Sequence, residues 1–101
     1  MKLLVVTCLK ECLGDISKIF KEANIDVFST SEIIGQKQGK GTNFLEDWFA
    51  SGDEKVESMM IFTFTPSANA KQGMELIKIY NKTHDNNSPI RTFIMPVEKF
   101  L

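Results

Sequence analysis

The chain has 101 residues, of which 43% are hydrophobic and 25% charged, and its net charge is −1. That length supports a single domain, residues 1–101, around one modest core, and the balance of apolar and charged residues excludes a disordered or collagen-like chain. Near-neutrality gives none of the basic excess of a nucleic-acid footprint, so no nucleic acid is expected among the partners.

Reading from the start, "KLLVVTCL" (residues 2–9) is β-branched and nearly continuous in apolar residues, as expected of a strand inside a sheet. The run is too short to span a bilayer, and the "KE" at Lys10–Glu11 interrupts it too soon for a secretory signal. The expected location is therefore the cytoplasm. In "GDISKIFKEANID" Asp15 is a plausible N-cap, and Ile16, Ile19, Phe20 and Ala23 fall on one helical face, with Asn24 suited to a left-handed helix end. "IDVFSTSEII" (residues 25–34) predicts a second strand.

Residues 35–58, "GQKQGKGTNFLEDWFASGDEKVES", read as a long excursion carrying the one tryptophan. A connection of this length inside a compact domain is unusual and most often functional. Within it Phe44, Leu45, Trp48 and Phe49 share one face of a short helical turn, with Asn43 as a fitting cap and Gly52 as a stop. Such a face either docks into a partner's groove, with Trp48 as anchor, or folds back as a lid. Both readings stand at this point. Its glycines favour a segment that orders only against a ligand or partner surface.

"SMMIFTFTP" then alternates Met60, Phe62 and Phe64 with Met59, Ile61 and Thr63, the period of a strand, and Pro66 ends it. "SANAKQGMELIKIYNKTH" is a second helix with Ser67 as cap and Ala70, Gly73, Met74, Ile77 and Tyr80 as its inward stripe. "DNNSP" is a turn, and "IRTFIMPVEKFL" a fourth strand closed by Pro96. The order predicts an α+β, ferredoxin-like βαββαβ sandwich: a four-stranded antiparallel sheet with two helices on one face. Large apolar residues on both faces of the third strand then predict a homo-oligomer.

"KLLVV", "GDISKIFKEANIDVFSTSEIIG", the Lys40–Gly41 pair and "TFIMPVE" (residues 92–98) run in the order found in the PII signalling family, which the chain resembles over nearly its whole length. The resemblance implies a homotrimer of ferredoxin-like subunits, with residues 35–58 standing where the family carries its T-loop, which docks on transporters and enzymes. It implies a small effector in the inter-subunit cleft, held by Gly35, Gln38, Lys40, Gly41, Thr83 and Arg91, and contact with a membrane only through a transporter partner. Phe44, Leu45, Trp48 and Phe49 would be the partner-binding face.

The chain also departs from that pattern. The family's glycine-rich phosphate turn is replaced by "THDNNSPIR" (residues 83–91), in which Pro89 removes a backbone donor. Arg91 stands where the family has a phosphate-binding lysine, the T-loop glutamine falls on Gly39 beside Gln38, and the family's C-terminal arginines have no counterpart up to Leu101. Nucleotide is therefore expected to bind weakly or not at all.

An alternative function is transition-metal binding linked to metal tolerance or efflux, with which several PII-like relatives are associated. Cys8 and Cys12, spaced C-x3-C, would be soft ligands at the turn after the first strand, and His84 a third ligand. The competing reading is a pair of structural thiols. Catalysis is not expected: there is one histidine, no Ser–His–Asp ordering, and "GQKQGKGT" lacks the spacing of a P-loop.

Overall fold

The computed structural model describes residues 1–36, 55–84 and 89–101. Strand β1 (Lys2–Leu9) leads through a 3-10 turn (Lys10–Cys12) into helix α1 (Leu13–Glu22), followed by β2 (Ser29–Gln36), β3 (Lys55–Thr65), helix α2 (Ser67–Thr83) and β4 (Arg91–Pro96). The strands form one sheet in the order β2-β3-β1-β4, with every neighbouring pair antiparallel. This is the ferredoxin-like α+β arrangement predicted above. Among the described residues no helix is long and apolar enough to cross a membrane.

One face of the sheet is sealed by the two helices. Leu4, Val6 and Cys8 of β1 and Met59 and Ile61 of β3 meet Ile16 and Phe20 of α1 and Ala70 and Ile77 of α2 in a single buried cluster. Helix α2 can lie close because Gly73 has no side chain: a Cβ there would touch Leu4 Cδ2 at 3.4 Å and Ile25 Cδ1 at 3.5 Å. The opposite face has no such cover in the single chain. There the register aligns Leu3 with Phe64 and Met95, and Val5 with Phe62 and Phe93. Phe62 and Phe64 meet edge to face, with centroids 6.4 Å apart, and Phe64 remains 56% exposed.

Helix α1 ends on Asn24, which adopts φ 58°. Its N–H donates to Lys21 O at 3.1 Å, and the N–H of Ile25 donates to Phe20 O at 2.8 Å. This is the Schellman closure, and the hydrophobic contact that accompanies it is supplied by Ile25 and Phe20, both in the core. Asn69 of α2 donates to the carbonyls of Ala23 and Asn24 at 3.1 and 3.3 Å, so the second helix caps the end of the first.

Several boundaries differ from the sequence reading. Asp15 is not the cap of α1, because the 3-10 turn feeds the helix directly and it starts at Leu13; Asp15 lies in the first turn instead. Residues 25–28 are not strand, since the Schellman turn directs Ile25 into the core and pairing begins only at Ser29. Strand β3 starts three residues earlier than Ser58, its Lys55 opposite Gln36, so the connection shrinks to residues 37–54. Ser67 is the first residue of α2 rather than its cap; Pro66 occupies the boundary, where its missing N–H costs nothing, and its carbonyl accepts from Ala70 N at 3.1 Å.

The left-handed conformation at Asn24 gives a direct test. Asn24→Ala should lower unfolding free energy by about 1–2 kcal/mol, because a plain Cβ is disfavoured at positive φ, whereas Asn24→Gly should be neutral or stabilising. Urea unfolding of the three proteins checks it.

Candidate functional site

The register creates an arm at one end of the sheet. Leu9 is the last residue of β1 and pairs with Ser58, so Lys55, Val56 and Glu57 pair with β2 alone. This two-stranded ribbon joins the body to residues 37–54. Where it leaves the sheet there is an open hollow of about 330 Å³, lined by Lys10, Glu32, Ile33, Ile34 and Ser58.

Lys10 Nζ lies 2.6 Å from Glu32 Oε1, and this ammonium holds the Glu32 carboxyl below its usual range. Both side chains are well exposed, so the pair adds little to stability and is available to exchange partners. Ser58 differs: it is buried, and its hydroxyl has no hydrogen-bond partner among the described residues. A cation, a carboxylate, a buried hydroxyl and an apolar wall could recognise a small polar molecule. They make no nucleophile–base pair.

The expected effector residues are dispersed. Gly35 is not in a loop but in β2, paired with Val56 and buried. Thr83 ends α2, where its hydroxyl donates to Ile79 O at 3.1 Å or Tyr80 O at 3.2 Å. Arg91 opens β4 opposite Thr7. Gly35 and Arg91 lie on the two edge strands, roughly 14 Å apart across the sheet by three strand spacings and roughly 13 Å apart along it, because Arg91 is level with Ser31, four residues before Gly35. Gln38, Lys40, Gly41, Phe44, Leu45, Trp48 and Phe49 lie outside the described residues. Sequence reasoning passed over Lys10, Glu32 and Ser58; the one available signal was a serine heading an otherwise apolar strand.

The cysteines lie beneath the start of α1. Cys8 is fully buried and Cys12 nearly so. Burial, with a smaller contribution from Cys12, pushes the Cys8 thiol from 9.0 up to about 12. Burial also raises the Cys12 thiol, opposed by the Tyr80 hydroxyl beside it and reinforced by Glu11 and Asp15. Tyr80 donates to Asp15 Oδ2 at 2.6 Å, which ties α2 to α1 and raises the tyrosine's own pKa. His84 is exposed and stacks on the Tyr80 ring at 3.9 Å. Among the described residues no three His, Cys, Asp or Glu side chains gather as metal ligands, so Cys8, Cys12 and His84 are not brought together as one set.

No family model and no curated protein matches this chain.

Two measurements follow from these environments. A buried hydroxyl without a partner costs roughly 1–3 kcal/mol, so Ser58→Ala should raise the urea midpoint of the ligand-free protein. The Cys8 thiol ionises near 9.0 when unfolded and only near 12 when folded. The stability this contributes is complete below about pH 9 and lost as pH rises toward 12. Wild type should therefore weaken steeply above pH 9, and Cys8→Ala, though less stable at neutral pH, should show a flatter alkaline slope.

Proposed function

We propose that the chain is a regulatory protein of the PII type: a homotrimer that binds a small effector between subunits and controls a transporter or enzyme through residues 37–54. The observation that carries this reading is the β2–β3 ribbon. A ferredoxin-like body with its long connection carried on a pair of strands that outruns β1 suits the presentation of a segment to another protein while its root stays anchored.

Two further features support it. The uncovered sheet face presents Phe62, Phe64, Phe93 and Met95, an apolar surface suited to self-association. The separation of Gly35 from Arg91 means that one subunit cannot close a site around both. A neighbouring copy, bringing its β4 edge to this subunit's β2 edge, would complete a cleft next to the Lys10–Glu32–Ser58 hollow. The effector class that suits such a cleft is small and polar, with an anionic group for Lys10 or Arg91. Nucleotide remains a weak candidate, because Pro89 stands in the turn that would have to supply backbone donors.

Assembly tests this reading first. Sedimentation equilibrium at micromolar concentration should give a trimer, and the double variant Phe62→Lys/Phe64→Lys should give folded monomers, since neither side chain belongs to the helix-covered core. A monomeric wild type would remove the cleft and the reading with it.

A further inference from the structure

Glu32 stands opposite Met59 in the β2–β3 register, and Met59 belongs to the helix-covered core, so both project to the helix side of the sheet. Ile34, two residues further along β2, projects to that side as well. Neither is sealed there: Ile34 is 62% exposed and the Glu32 side chain 69%. Lys10 approaches the same place from the turn that carries β1 into α1, and its Nζ lies 2.6 Å from Glu32 Oε1. Ile33 and Ser58, paired in the register, complete the lining of the hollow. A cation, an anion and an exposed apolar side chain thus stand side by side around about 330 Å³, the small end of the usual range of ligand sites, about 300–1,000 Å³.

We propose that this hollow binds a free α-amino acid with an aliphatic side chain, its carboxylate on Lys10, its ammonium on Glu32 and its side chain against Ile34. A ligand that enters between Lys10 and Glu32 must replace what each of them loses. A plain carboxylate serves Lys10 but sets a like charge beside Glu32. A plain amine serves Glu32 but leaves Lys10 facing a second cation. A zwitterion with its two charges on neighbouring atoms answers both at once, so discrimination comes from the charge that each wrong ligand would strand. Opening the pair costs little, because exposed ion pairs add little net stability. Ile34 supplies the remaining contact, since an apolar group laid on it removes surface of both from water.

This deepens the regulatory reading by naming its effector, and it rests on that reading for the effector's purpose alone. Lys10 follows the end of β1, whereas Glu32 and Ile34 belong to the half of β2 that runs into the ribbon. A bound amino acid therefore bridges the body of the sheet to the root of residues 37–54. Every residue that lines the hollow comes from one chain, so binding itself needs no second subunit.

The test is titration of the full chain with L-leucine, followed by the backbone amide resonances, with sedimentation equilibrium on the same samples. Saturable shifts are expected at Lys10, Glu32, Ile33, Ile34 and Ser58. Leucine amide, which lacks the carboxylate, and 4-methylpentanoate, which lacks the ammonium, should each bind at least about tenfold more weakly, the value of one charged hydrogen bond. Glycine should bind at least about fivefold more weakly for want of the contact with Ile34. Lys10→Gln and Glu32→Gln keep most of each side chain, fold because both positions are exposed, and should each lower leucine affinity at least about tenfold. Phe62→Lys/Phe64→Lys should bind leucine as wild type does, because neither residue lines the hollow. A monomeric wild type that still binds leucine would sink the trimeric reading and leave the site standing. Loss of binding in the Phe62→Lys/Phe64→Lys variant would move the ligand between subunits and overturn the site. So would unchanged affinity in Glu32→Gln, equal binding of 4-methylpentanoate, or no saturation by about 20 mM leucine, well beyond a millimolar dissociation constant.

Discussion

Two helices can cover only one face of a four-stranded sheet, and this constraint shapes the rest of the molecule. On the covered face the residues must fit: Leu4, Val6, Cys8, Met59 and Ile61 are sealed against Ile16, Phe20, Ala70 and Ile77, and Gly73 lets α2 settle within contact of Leu4. On the open face Leu3, Val5, Phe62, Phe64, Phe93 and Met95 are left to shield one another. Val5 manages this at 7% exposure because phenylalanines flank it on both neighbouring strands; Phe64 does not, at 56%. Each large apolar side chain taken out of water contributes about 1.5–3 kcal/mol, a gain that the open face forgoes in the single chain.

Unequal strand lengths turn the same sheet into a stem. Strand β1 stops at Leu9, while β3 continues three residues past that register and keeps only β2 for company. A two-stranded ribbon is marginal by itself. Here it is held because its strands run on into the sheet, where Thr63 Oγ1 also donates to Val27 O at 2.6 Å and ties β3 to the segment leading into β2. The hollow at the ribbon's root inherits its composition from this geometry: polar residues of the turn after β1 meet the last residues of β2 beside a serine that has lost its solvent.

Much of the fold was legible because local signals agreed with tertiary demands. The unbroken apolar run of residues 2–9 became β1 without adjustment, Asn24 took the left-handed position, and the alternation from Met59 to Thr63 matched the two faces of β3. The misread boundaries lie where a neighbour decides. Lys55–Glu57 are strand because residues 34–36 pair with them, not because "KVE" looks like one. Asp15 resembled a cap because its type suits one, but the preceding 3-10 turn had already started the helix, leaving its carboxylate to accept from Tyr80, 65 positions away. The site was less legible for the same reason. Lys10, Glu32 and Ser58 are far apart in sequence and become neighbours only once the register is set.

Register also separates two kinds of chemistry that the sequence had run together. Cys8 and Met59 face the helices and are enclosed by the chain's own core. Gly35 and Arg91 lie on the two edge strands of the sheet, too far apart for one small molecule to touch both. A substitution on the open face, as at Phe64, therefore leaves the helix-covered core intact, and a conservative change at Met59 leaves the open face untouched.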